Sequence, residues 1–158
     1  MSKKQFKKLA LGGTFDIIHK GHEELFSKAF ELGEEIVIGI TTDEFVQELY
    51  KDHSINEYYF RKNQLLEFIK KIASEDRCII TPLDDPYGPT IHDKSIEAII
   101  VSKESEKTAH IINKIRIDNE LKPLEVISIE LILAKDGQPI STTRIKKGII
   151  DRNGKLID

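Results

Sequence analysis

The chain has 158 residues, 39% of them hydrophobic and 32% charged, with a formal net charge of −3 and one cysteine. That length carries a core without staples and predicts one domain, residues 1–158, and the balance of apolar and charged residues excludes a disordered chain. The negative charge argues against a general nucleic-acid binder, no apolar run approaches the ~20 residues of a membrane span, and the lone cysteine excludes an intrachain disulfide.

Lys3, Lys4, Lys7 and Lys8 read as a solvated approach to the first strand. The N-terminus has no signal-peptide core, so the chain is expected in the cytoplasm. Leu9–Leu11 is the first apolar strand and runs into L-G-G-T-F-D-I-I-H-K-G-H-E. A helix is expected from about Lys20, with Leu25, Phe26, Ala29 and Phe30 inward and Gly33 as its C-cap. Ile36–Ile40 is a short apolar strand of the kind covered on both faces. Asp43–Tyr50 and Glu57–Ile72 follow as helices, the second with Leu65, Leu66, Ile69 and Ile72 inward. Cys78, in C-I-I, reads as a packed thiol opening a third strand to Thr81, which leads into L-D-D-P-Y-G-P-T, a loop by its prolines and glycine. Ala98–Val101 is a fourth strand, Lys107–Asn119 a helix and Leu124–Leu133 a long fifth strand. The turn K-D-G-Q-P and a helical turn at Thr142–Lys147 close the pattern.

Alternating strands and helices predict an α/β fold: a Rossmann-like five-stranded parallel sheet, order 3-2-1-4-5, with helices on both faces. Ligands in such folds bind beyond the carboxyl ends of the strands where the order reverses, here between strands one and four. Gly12–His22, Val101–Ser105 and Ile140–Ile145 should therefore meet at one crevice.

Those stretches carry the chemistry. Neither G-x-G-x-x-G nor G-x-x-x-x-G-K-[ST] is present, which excludes the dinucleotide fingerprint and the P-loop. Gly12 and Gly13 are expected to bring the backbone close to a ligand. His19 and His22, three apart at a helix start, share a face that Gly21 keeps open, and the free N–H groups of that turn suit phosphate. An ordinary βα turn with solvated histidines, or a metal site of Asp16, His19 and His22, are the alternative readings. Ser141, Thr142 and Thr143 can cap a helix and donate to phosphate oxygens, and Arg144 adds a fork of donors. Lys51 and Arg61 are candidates for an acceptor phosphate, and read equally well as charges on a solvated helix face.

The T-F-D-x-x-H-x-G-H stretch resembles the signature of the nucleotidylyltransferase superfamily, and I-S-T-T-R-I its second signature. With G-I-T-T-D-E-F, D-P-Y-G-P, I-I-V-S-K-E-S, P-L-E-V and A-K-D-G-Q-P-I-S-T-T-R-I-K-K-G-x-I-D, the chain resembles the archaeal-type phosphopantetheine adenylyltransferases from about Leu9 to Asp151. Lys103 stands where that resemblance leads one to expect proline. The resemblance implies transfer of the adenylyl group of ATP to 4′-phosphopantetheine, giving dephospho-coenzyme A and pyrophosphate, by a cytoplasmic monomer without nucleic-acid or membrane partners. It implies a nucleotide site at Gly12, Gly13, Thr14, Phe15, His19, Gly21, His22, Ser102 and Ser141 to Arg144, with His22, His19 and Arg144 catalytic. The acceptor is expected at Thr14, Asp16, Lys51 or Arg61, with Leu83 and Tyr87 as an apolar wall for its arm. No metal cage of protein ligands is expected; Mg²⁺ should arrive on the ATP phosphates, with Asp16 either orienting it or forming a turn. Other cytidylyl- or adenylyltransferases acting on a small alcohol phosphate, a flavin or a pyridine nucleotide carry similar signatures, and a non-catalytic nucleotide sensor is the binding-class alternative. The H-x-G-H of aminoacyl-tRNA synthetases is excluded because 158 residues leave no room for a tRNA-binding domain.

Overall fold

The computed structural model describes residues 4–50, 54–130 and 132–157. In chain order they form β1 (Phe6–Gly13), α1 (Lys20–Leu32), β2 (Gly33–Thr41), α2 (Asp43–Tyr50), α3 (Tyr58–Ile72), β3 (Cys78–Leu83), β4 (Ala98–Ser102), α4 (Glu106–Asp118), β5 (Glu125–Ile129) and α5 (Thr142–Lys146). The five strands make one parallel sheet in the order β3-β2-β1-β4-β5, as the alternation predicts. Successive side chains on a strand point to opposite faces. Leu9, Leu11, Ile36, Ile38, Ile40, Ala98 and Ile100 meet Phe26, Ala29 and Phe30 of α1 and Leu65 and Ile69 of α3 on one face. Ala10, Val37, Ile99 and Val101 meet Ala109 and Ile112 of α4 on the other. Among the described residues no helix is long and apolar enough to cross a membrane.

The central strands open like a fork. β1 pairs with β2 from Phe6 to Gly13, but with β4 only at Leu9↔Ala98 and Ala10↔Ile99. Beyond Ala10 the two strands part, and the gap between their carboxyl ends is where the strand order reverses.

Several expected boundaries move. Gly12 and Gly13 lie within β1, paired with Gly39 and Ile40, so the turn comes after them. Gly33 is no left-handed cap: its φ is −112°. A Cβ there would sit 2.8 Å from Ile36 Cδ1 and 3.0 Å from Leu9 Cβ, so the glycine is required for close packing where α1 passes directly into β2. Among the described residues the fifth strand covers Glu125–Ile129 and not the longer span expected, because its neighbour β4 ends at Ser102 opposite Ile129. Leu133 instead pairs antiparallel with Pro139 in a hairpin around Gly137, whose φ is +80°. Ile72, taken as inward, is exposed.

Candidate active site

The fork between β1 and β4 holds a cleft of about 420 Å³, within the ordinary size of a ligand site. Gly12, Gly13, Thr14, Phe15, Asp16, His19, Gly21 and His22 line one side, Ser102, Glu104 and Ser105 a second, and Ser141, Thr142, Thr143 and Lys146 a third. The three stretches expected to converge do so.

The loop from Thr14 to Ile18 is held in an uncommon shape. Phe15 has φ +53°, the left-handed region that costs any residue bearing a Cβ. Its ring stands edge-on to His22 and tilted to Phe26, each at 5.3 Å between centroids, and it occupies the space a Cβ on Gly13 would need, 3.0 Å away. From α3, Arg61 donates to the Thr14 carbonyl at 2.8 Å and Gln64 to the Asp16 carbonyl at 3.0 Å, while the Ile18 N–H donates to Gln64 at 3.1 Å. α3 thus clamps the loop at three points.

His19 is the N-cap of α1, and the two imidazoles form a reciprocal box. The Gly21 N–H donates to His19 Nδ1 at 3.1 Å, and the His19 N–H donates to His22 Nδ1 at 3.3 Å. The rings stack at 3.8 Å. A nitrogen that accepts from a backbone N–H carries no proton, so each ring is neutral and holds its proton on Nε2. Burial drives both basicities down, His19 to about 4 and His22 to about 3; for His22 the neighbouring imidazole adds to burial, and the Ile17 backbone opposes it. The box corrects two expectations. The first N–H groups of α1 are already taken, Lys20 by the Arg152 carbonyl at 2.9 Å and Gly21 by His19. Gly21 serves to admit the His19 ring, since a Cβ would lie 2.9 Å from its Cε1.

Five further site expectations need restating. Arg61 is fully buried and bonded to Asn56 O, Thr14 O, Thr41 Oγ1 and Asp43 Oδ1 at 2.7 to 3.2 Å; it braces the loop and presents no fork to an acceptor. Arg144 turns back to the hairpin, donating to Pro139 O at 2.9 Å and pairing with Asp136, so it does not line the cleft. Leu83 is buried against the positions of Gly12, Gly39 and Gly88, and Tyr87 packs on the α4 face of the sheet with Val37 and Ile99; neither walls the cleft. Lys51 lies outside the described residues. Asp16 is buried, accepting from the Asn56 N and Nδ2 at 2.9 Å each through Oδ1 and meeting the Lys146 ammonium with Oδ2.

The sequence reading missed Lys146 and Tyr50, both on the cleft. Lys146 falls one turn beyond Thr142 on α5, a spacing that puts it on the same face. Tyr50 carries no local signal; it ends α2 and places its hydroxyl 3.3 Å from Thr14 Oγ1.

Comparison with known proteins fixes the family. The cytidylyltransferase-like family model matches residues 10–148. Phosphopantetheine adenylyltransferase of Methanosarcina mazei is 47% identical over 152 residues, 94% of this chain and 96% of that protein. The chain belongs to the phosphopantetheine adenylyltransferase family. The enzyme of that name from Methanothermobacter thermautotrophicus is 41% identical over 155 residues, covering 98% and 92% of the two chains. A crystal structure of an Archaeoglobus fulgidus protein described as of unknown function superposes with a TM-score of 0.70 at 28% identity, over 77% of this chain and 88% of that one. Lys103, standing where the resemblance leads one to expect proline, opens a short 3₁₀ turn and pairs with Glu130, a residue of the cleft lining, at 3.4 Å.

Proposed function

We infer that this chain transfers the adenylyl group of ATP to 4′-phosphopantetheine, giving dephospho-coenzyme A and pyrophosphate. The observation that carries the reading is a pair of neutral, mutually capped imidazoles at the fork of the sheet, in a chain 40–47% identical over at least 90% of its length to five proteins named for that reaction. The acceptor is a phosphate monoester, ionised at neutral pH, so attack on the α-phosphorus needs no general base. The protein has to align that oxygen and stabilise the charge that grows on the α-phosphate and the departing pyrophosphate. Neutral imidazoles suit this, because each offers an N–H without surrendering a proton. His22 donates to the α-phosphate and His19 positions the triphosphate. Thr14 meets the incoming phosphate. Ser141, Thr142, Thr143 and Lys146 hold the pyrophosphate, with Lys146 taking the place first assigned to Arg144.

Magnesium fits this site as a passenger of the nucleotide. Among the described residues no three His, Cys, Asp or Glu side chains are grouped to hold a metal ion, and Asp16 is engaged by Asn56 and Lys146. Bound to the triphosphate, Mg²⁺ would neutralise phosphate charge, with water completing its shell. A pyrophosphate-release assay across nucleotides and acceptors tests the assignment. Turnover with ATP and 4′-phosphopantetheine far above that with CTP, or with a small alcohol phosphate, a flavin or a pyridine nucleotide as acceptor, is expected; the reverse order would overturn it.

A further inference from the structure

Behind the cleft wall lies a chain of hydroxyls whose direction is set by a buried cation. The Arg61 guanidinium, wholly buried, donates through Nη1 to Thr41 Oγ1 at 3.2 Å. A guanidinium has no acceptor, so the Thr41 proton has to leave on the other side. It points to Thr14 Oγ1 at 3.1 Å. Thr14 Oγ1 is then an acceptor from within the protein, which leaves its own proton for the side where the Tyr50 hydroxyl lies 3.3 Å away, on the cleft that both residues line. Thr41 itself is 5% exposed and stays behind that wall.

We propose that Thr41 is a positioning residue: with Arg61 behind it, it fixes the Thr14 hydroxyl as a proton donor towards the phosphate that enters beside it. Without the relay the Thr14 hydroxyl rotates freely and presents a lone pair to an anion part of the time. This proposal rests on the adenylyl-transfer reading only for the identity of that phosphate; the direction of the relay is a property of the protein.

Three variants of the full chain test it: Thr41→Val, Thr41→Ser and Thr14→Val. Thr41→Val keeps shape and removes the relay; it is expected to lower kcat/KM for 4′-phosphopantetheine about tenfold, the scale of one hydrogen bond to a charged group. Its calorimetric affinity for ATP should stay within about twofold, and Thr41→Ser should restore the loss. In the Thr14→Val background, Thr41→Val should cost nothing more, since the relay has lost its end. Wild-type kcat/KM in Thr41→Val, or an equal loss in both backgrounds, would overturn the proposal. If Thr41→Val does not fold, Thr41→Cys keeps a side chain of similar size with only a weak donor and is judged by the same outcomes. Neutron diffraction from the deuterated wild-type chain decides the relay independently of activity: deuterium on Thr41 Oγ1 facing Thr14 supports it, and deuterium on Thr14 Oγ1 facing Thr41 refutes it. A wild-type chain that makes no dephospho-coenzyme A would remove the functional reading and leave the neutron result standing as the test of the relay.

Discussion

His19 and His22 cap the same helical turn and stack on one another, so the position of each ring depends on the other. Each Nδ1 accepts a backbone N–H of the same helical turn, so removing one ring frees a cap and shifts its stacked neighbour. If His22 acts chiefly in the transition state, His22→Ala should cut kcat by about 10²–10⁴ with little change in ATP affinity; near wild-type turnover would remove it from the mechanism. Gly21→Ala probes the box from the other side. Alanine is the better helix former by roughly 1 kcal/mol, but its Cβ would meet the His19 ring at 2.9 Å, and the ring, being a side-chain end, can yield. The expected outcome is a melting temperature no lower than wild type with turnover clearly reduced; unimpaired turnover would show that His19 needs no fixed ring position. That the two rings share one face was legible in H-x-G-H because they are three residues apart; the box, in which each Nδ1 takes up a backbone N–H, was not. Which of Arg144 and Lys146 reaches the cleft was not legible, because that depends on Asp136 and Asp16, which both lie outside the helix carrying the two cations. Calorimetry separates them: Lys146→Met should weaken ATP about tenfold while leaving AMP nearly unchanged, and Arg144→Ala should weaken ATP less. A larger loss of ATP affinity with Arg144→Ala would return that arginine to the phosphates.

The elements themselves follow from apolar spacing, and their ends follow from their neighbours. L-E-V-I-S-I-E-L-I-L is apolar enough to read as one long strand, yet only Glu125–Ile129 have β4 beside them, and no reading of the segment alone shows where the adjacent strand stops. α3 is similar. Arg61, Leu65 and Ile69 form a single buried stripe at spacings of four, whereas the sequence reading gave Arg61 to an acceptor phosphate or to a solvated face. Its partners Thr14, Thr41 and Asp43 hold it inward, and they come from three other segments. The loop after β3 shows the same limit. Its prolines marked a rigid turn, but not which way Leu83 would point. The leucine fills a socket left by Gly12, Gly39 and Gly88, where added Cβ atoms would fall 3.3, 2.7 and 2.4 Å from it. Leu83→Ala should therefore behave as a core truncation, costing about 2–5 kcal/mol of stability with KM for 4′-phosphopantetheine little changed. A raised KM at unchanged stability would return Leu83 to the substrate wall.

At the scale of the molecule, the fork between β1 and β4 decides where chemistry can occur, and it was legible because strand order and motif position point to the same place. The acid limb of stability follows from what the fork buries. Free imidazoles titrate near 6.5, whereas His19 and His22 in the folded chain are driven to about 4 and about 3, chiefly by burial. A folded pKa below the unfolded one means that, under acid, the unfolded chain binds protons that the native chain refuses. Stability from these two rings is therefore complete above about pH 6.5 and is lost as the pH falls from there towards the folded values. With both rings uncharged in the native state and charged in the unfolded one, the slope approaches two protons, roughly 2.7 kcal/mol per pH unit, near pH 5. The lowered carboxyls of Asp93 and Asp136 lose their contribution only near and below the ordinary carboxylate range, so they leave this window largely untouched. Denaturant midpoints between pH 7.5 and 4.5 should fall steeply for the wild type, and a His19→Gln, His22→Gln double variant should flatten that fall. A wild-type profile already flat from pH 7.5 to 5 would mean that the two imidazoles accept protons as readily in the folded chain as in the unfolded one, and the neutral donor pair would lose its basis.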